Sequence, residues 1–98
     1  MWVYVLRCRD NTFYVGHTSD VDARLRSHLT GAGATYTASR LPLDLVYQEA
    51  CQTLKEALHR ERQLKGWSAQ KKAALIAGDS QRLKQLSKRR RVKAARAP

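Results

Sequence analysis

The stretch Met1-Trp2-Val3-Tyr4-Val5-Leu6-Arg7-Cys8-Arg9-Asp10-Asn11-Thr12-Phe13-Tyr14-Val15-Gly16 decides the fold. Its two ends are short runs rich in Val, Tyr and Phe, residue types that suit a pleated, half-buried surface. Between them, Cys8 to Thr12 is polar and carries Asp10-Asn11, whose short side chains favour a turn. The pattern predicts a β-hairpin. Tyr4 falls on one arm and Tyr14 on the other. Whether their phenols share a face depends on register, because a slip of one residue turns a strand's side chains over. Tyrosines in a hairpin are also ordinary sheet packing, and both readings stand at this level.

Downstream of the hairpin, Asp20 is a good helix N-cap, and Val21, Leu25 and Leu29 recur every four residues as the core stripe of a first helix, 21–29. Arg24 and His28, also four apart, stack on the strip beside that stripe. Thr30-Gly31-Ala32-Gly33 stops the helix. Ala34 to Arg40 is small and polar and reads as an exposed loop, and Leu41-Pro42 extends the backbone. Leu45-Val46-Tyr47 is the third strand candidate, within 43–51. Thr53, with Glu56 three residues on, opens a second helix over 54–65 that meets Gly66. Ser68 caps a third, 69–77, and residues 80 to about 89 form a fourth. Residues 90–98 read as solvated chain. Three strands and three or four helices describe a small α+β domain, 1–79, followed by a basic C-terminal helix and tail, 80–98.

Charge is the informative part of the composition. The 98 residues hold 19 Lys and Arg against 8 Asp and Glu, a net charge of +11. Residues 80–98 carry eight of the basic groups and no acid. Such a field draws a polyanion, nucleic acid ahead of membrane because the tail lacks large apolar anchors, and it reads no base sequence. No apolar run is long enough to span a bilayer, and the chain opens straight into a strand rather than a leader, so the expected location is cytoplasmic. Cys8 and Cys51 are too few for a disulfide scaffold, lack metal-ligand spacing, and read as thiols at strand ends.

Among residues able to do chemistry, Glu61 is the most telling. On the second helix Leu54, Ala57, Leu58 and Leu64 define the apolar face, and Glu61 falls near its middle. A carboxylate buried without a partner is costly, so an ion pair, hydrogen bonds or a divalent metal must compensate it. Lys65, one turn on, can pair with it or touch phosphate. Arg24 beside the core stripe suits bidentate contact with phosphate oxygens. His28 can exchange a proton with a tyrosine or serve as a structural imidazole. His17 adjoins the second hairpin arm and is a substrate-binding candidate by position, whereas His59 lies on the solvent side of its helix. Arg40, Lys71 and Lys72 are substrate-binding candidates by charge. Trp67 can stack on a base or pack at a helix junction.

The triplets Val3-Tyr4-Val5 and Tyr14-Val15-Gly16, so spaced, resemble the two halves of the signature that names the GIY-YIG nuclease superfamily. Val3 and Val5 depart from the name, and Tyr4, the chemically important residue, is kept. The resemblance continues through Arg24, His28 and Glu61 to Trp67-Ser68, and Glu61-Arg62-Gln63-Leu64-Lys65-Gly66-Trp67 resembles the small standalone bacterial branch. It implies a three-stranded antiparallel sheet flanked by helices. It also implies divalent-metal-dependent cleavage of DNA phosphodiester bonds to a 5′-phosphate and a 3′-hydroxyl, with repair or recombination as the setting. Glu61 matches the carboxylate that holds the family's metal, Mg²⁺ or Mn²⁺ completed by waters and substrate phosphate. Arg24 matches its catalytic arginine. Tyr4 is expected as general base, with Tyr14 as its supporting hydrogen-bond partner or a phosphate contact, although an unperturbed phenol with pKa near ~10 must either be lowered or give up its proton in concert. The late amide found in many relatives has no evident place here.

A non-catalytic nucleic-acid-binding module on the same scaffold is the second reading, and an adaptor for an acidic protein the third. A lone site favours nicked, single-stranded or branched DNA over clean duplex breaks, and RNA stays open as a substrate.

Overall fold

The computed structural model describes residues 1–30 and 35–87. It comprises two compact units, Met1–Gly66 and a second beginning at Trp67. The stop expected at Gly31 to Gly33, the start of the loop at Ala34 and the solvated segment 90–98 lie outside the described residues.

The hairpin forms as its composition requires. Strand β1, Trp2–Arg7, pairs antiparallel with β2, Phe13–Thr18. The connection closes through Cys8 N–H to Thr12 O at 2.9 Å and Asn11 N–H to Cys8 O at 2.9 Å. Asn11 takes φ 64°, a conformation its short amide tolerates better than most side chains. Strand β3, Asp44–Ala50, pairs with the other edge of β1, so the order is β2-β1-β3 and the first strand is central. A bulge between Val5 and Leu6 leaves Val46 as the extra residue on β3. Being central, β1 buries both of its faces, which explains the unbroken apolar run from Val3 to Leu6.

Register sorts the side chains. Tyr4 pairs with Gly16 and Leu6 with Tyr14, so both tyrosines lie on one face. There Tyr4, Leu6, Cys8 and Leu43 form a core cluster, with Tyr14, Leu25 and Leu41 packed against it. The opposite face carries Val3, Val5 and Val15, with His17 opposite Val3 on β2 and Glu49 opposite it on β3.

Helix α1, Val21–Leu29, lies over the tyrosine face, capped by Asp20, whose side chain accepts from Ala23 N–H at 3.1 Å. Its buried stripe differs from the expected Val21-Leu25-Leu29 line. Leu29 is 45% exposed, whereas His28 is fully buried. The imidazole takes that position because it finds hydrogen-bond partners on both nitrogens. The expected exposed loop from Ala34 is also corrected. Thr35–Ala38 form a short helix, α2, and Thr37 is fully buried because its hydroxyl is one of those partners. The Leu41–Pro42 peptide bond is cis.

Helix α3, Leu54–Lys65, covers the valine face. Thr53 caps it by accepting from Glu56 N–H at 3.1 Å, while Glu56 reaches back to Gln52 N–H at 2.9 Å. Its buried line runs Ala57-Glu61-Leu64, and Leu54 and Leu58 are 51% and 42% exposed. The expected apolar face is therefore rotated toward the acid. The cause is polar: Glu61 bonds to His17, and Arg60 bonds Glu49 through Nε at 3.0 Å, while Glu49 also accepts from the Tyr47 hydroxyl at 2.6 Å. In the second unit α4 spans Ala69–Ile76 with Ser68 as cap, and residues 80–87 are helical, with Asp79 accepting from Arg82 N–H at 2.9 Å. No helix among the described residues is long and apolar enough to cross a membrane. Cys8 is buried and Cys51 half-buried, both free thiols.

The rotated face yields a direct check. Leu64→Ala should cost about 2–5 kcal/mol of unfolding free energy, and Leu58→Ala only about 0.5 kcal/mol. Urea denaturation measures both, and equal losses would contradict the assignment of the buried line.

Candidate active site

The site begins with a missing side chain. Tyr4 and Gly16 face each other across β1 and β2, and the Tyr4 ring lies over the Gly16 backbone. A methyl group on Gly16 would stand 2.5 Å from the Tyr4 hydroxyl oxygen and 2.6 Å from Cζ. Gly16 lies within β2, as the floor on which the phenol rests. The ring direction fixed in this way carries the Tyr4 hydroxyl to His28, whose Nε2 is 3.0 Å away. On its other side, His28 Nδ1 meets Thr37 Oγ1 at 2.7 Å. Tyr14 completes the group, with its ring centroid 6.4 Å from Tyr4 and 5.2 Å, edge to face, from His28. Arg24 is one helical turn before His28 and exposed, and its positive charge acts on both the Tyr4 phenol and the His28 imidazole.

These neighbours set the protonation states. Burial pushes the Tyr4 phenol above its ordinary value; Arg24 opposes this, and Tyr14 and Glu61 add to it. The phenol is thus held as the neutral acid. Burial likewise lowers the His28 pKa, and the Arg24 charge lowers it further, so the imidazole is neutral and able to accept a proton.

Glu61 enters from the opposite face of the edge strand. Its Oε1 accepts from His17 Nδ1 at 2.6 Å and its Oε2 from Lys65 Nζ at 2.9 Å. Its charge is the smallest of the influences that raise the Tyr4 phenol. Burial works to raise the Glu61 pKa, but the hydrogen bonds from His17 and Lys65 and the two charges outweigh it, leaving a carboxylate lowered from its usual value. The acid that the helical wheel marks as needing compensation receives it from both partners.

That carboxylate fits a hard divalent ion. It is ionised, its side chain is 15% exposed, and it already attracts a cationic group. Lys65 is 53% exposed, so its ammonium can move to solvent and free Oε2. Among the described residues no three His, Cys, Asp or Glu side chains cluster as a metal site. Any ion would therefore rest on Glu61 with waters and phosphate oxygens, a coordination Mg²⁺ accepts because it dehydrates reluctantly.

The remaining sequence candidates separate. Arg40 is held at the hairpin connection, with Nε 3.1 Å from Asp10 Oδ2 and its carbonyl accepting from Arg9 N–H at 3.0 Å, a structural tie. Lys71 sits 4.3 Å from the centre of the Trp67 ring, a cation–π contact. Lys72 is half-buried, and burial lowers its pKa. His59 is exposed. Sequence reasoning missed Thr37, because a single threonine in a run of small polar residues has no periodicity to mark it. It also gave His17 less weight than its bond to Glu61 warrants, although its place beside Gly16 was the available signal.

Comparison with known proteins adds an independent line. The family model of the GIY-YIG catalytic domain matches residues 1–74. A UPF0213 protein of Staphylococcus haemolyticus is 44% identical over 75 residues, covering 76% of this chain and 92% of its own. One of Staphylococcus aureus is 47% identical over 75 residues with the same coverage. The solution NMR structure of a UPF0213 protein from Bacillus halodurans is similar at 40% identity with a TM-score of 0.52, covering 80% of this chain and 83% of that one.

The Tyr4–Gly16 contact can be tested by itself. Gly16→Ala should force the phenol off His28 and cost about 1–3 kcal/mol through overpacking. The loss of the Tyr4–His28 cross-peaks in a nuclear Overhauser spectrum, together with a lowered urea midpoint, would show it. An unchanged spectrum and midpoint would contradict the contact.

Proposed function

Because the chain belongs to the GIY-YIG catalytic-domain family, a family of nucleases, we propose that it is a divalent-metal-dependent DNA endonuclease. The observation that carries this reading is the hydrogen bond between the buried Tyr4 hydroxyl and the neutral His28 imidazole, beside an arginine. A phenol held neutral by burial is a poor base until its own proton has somewhere to go. His28 Nε2, at 3.0 Å, supplies that destination. Tyr4 accepts a proton from the attacking water while passing its own to His28, so no free phenolate need form. This concerted route is the one that a raised phenol pKa favours over ionisation in advance.

Arg24 is exposed near the phenol and can only donate, so its guanidinium suits the oxygens of the scissile phosphate, where it offsets charge that grows in the transition state. Tyr14 packs against both Tyr4 and His28 and holds their rings in place. Glu61 would hold Mg²⁺ or Mn²⁺, which when bound supplies Lewis-acid charge to the phosphate and the departing 3′ oxygen. His17 steadies the carboxylate through Oε1, and Lys65 balances its charge until substrate and ion arrive. The products are a 5′-phosphate and a 3′-hydroxyl.

The basic residues of 80–98 supply affinity for the polyanion without reading its sequence. A single site cuts one strand per encounter, which favours nicked, single-stranded or branched DNA. The buried Tyr4–His28–Thr37 series favours catalysis over a binding module, because surface binding of phosphates has no need of a proton acceptor beneath the surface.

Cleavage of plasmid, single-stranded and branched DNA with Mg²⁺ or Mn²⁺ tests the reading. Tyr4→Phe and Glu61→Gln should each lower kcat by roughly 10²–10⁴-fold. Turnover equal to that of the unaltered protein would remove the role given to that residue, and no cleavage of any substrate by the unaltered protein would overturn the reading.

A further inference from the structure

Thr37 stands at the far end of the series that begins at Tyr4, and it is fully buried with its hydroxyl 2.7 Å from His28 Nδ1. A valine would fill the same space without the hydroxyl, so toward His28 threonine brings a hydrogen bond at one ring nitrogen. The direction of each bond follows from which groups can donate. Arg24 is a fixed positive charge with no acceptor atom, and acting on the Tyr4 phenol it favours the oxygen's lone pairs on its own side and the O–H turned away from it. The neutral phenol then points its own O–H at His28 Nε2. That nitrogen must be bare to accept, which places the proton of the neutral imidazole on Nδ1, from which it is donated to Thr37 Oγ1.

We propose that Thr37 is a positioning residue: it holds His28 in the Nδ1–H tautomer and so keeps Nε2 free to receive the Tyr4 proton. Its purpose rests on the hydrolytic reading above, whereas its geometry does not. In the transfer, the Tyr4 oxygen gains a proton from water and loses its own to Nε2. The phenol ends neutral, and His28 becomes an imidazolium protonated on both nitrogens. Thr37 accepts from Nδ1 before and after. The imidazolium is discharged by returning its Nε2 proton through the phenol to solvent. In the opposite tautomer Thr37 would donate to Nδ1, and Nε2 would already carry a proton, closing the route. The arrangement shares its logic with a carboxylate behind a catalytic histidine, with one difference. Threonine is uncharged, so it orients the ring without stabilising the imidazolium, which leaves the histidine easy to discharge.

Imidazole ¹⁵N spectra of the full chain, without DNA or metal, test this directly. In the unaltered protein His28 should show a protonated Nδ1 and a bare Nε2. Thr37→Val should move the population toward Nε2–H, and Thr37→Ser should restore the original pattern. In cleavage assays Thr37→Val should lower kcat by about tenfold or more with KM little changed, and Thr37→Ser should recover most of the loss. A proton on Nε2 in the unaltered protein would overturn the proposal whether or not the valine variant folds, as would an unchanged tautomer in a folded Thr37→Val. The spectra need no turnover, so an unaltered protein that cleaves nothing would count against the nuclease reading alone.

Discussion

The position of one phenol over one glycine governs the rest of the structure. Tyr4 is on the central strand and is buried, so its ring must lie along the sheet, and the only floor that admits it is a residue without a side chain. Gly16, directly opposite on β2, is that floor. With the ring fixed, its hydroxyl reaches His28 on α1, and the histidine draws in Thr37 from α2. The buried stripe of α1 follows from this. An apolar line through Leu29 would turn His28 toward solvent and leave the phenol oxygen and the threonine hydroxyl without that partner, a cost of a few kcal/mol in a dry interior. Polar satisfaction therefore decides which side of the helix faces the sheet.

The opposite face shows the same effect with charge. α3 turns Glu61 inward at the expense of Leu54 and Leu58 because His17 and Lys65 make burial of the carboxylate tolerable. A carboxylate with both oxygens engaged is quiet until something displaces a partner. Lys65 is the partner able to leave, since it is half exposed and on a flexible stem, whereas His17 is held in the strand. Glu61 lies on the valine side of the sheet and Tyr4 on the other, and the Glu61 charge adds to the upward shift of the Tyr4 phenol. The exposed Arg24 sets a positive charge against the buried phenol and imidazole.

Much of this was legible beforehand. The hairpin, the third strand, the helix limits and the caps at Asp20, Thr53 and Ser68 follow from local chemistry, which acts within a few residues. Glu61 stood out because a charge on an apolar helical face is a conflict visible on the wheel. The register that puts Tyr4 and Tyr14 on one face could be posed but not decided, since it depends on how the Cys8–Thr12 connection closes. The exact buried stripes of α1 and α3 were misread because periodicity weighs only apolar residues, and here His28 and Glu61 are the residues that bury. Thr37 was invisible for a related reason: its partner is nine positions away in sequence and on another element.

The central claim is that the Tyr4 proton leaves in concert through His28, because the phenol is too buried to ionise first. Titration of Tyr4 followed by its ¹³Cζ resonance addresses that claim most directly. The account predicts a phenol still protonated beyond pH ~10, the ordinary tyrosine value. Ionisation below that value would show that burial does not hold the proton on the phenol and would contradict it.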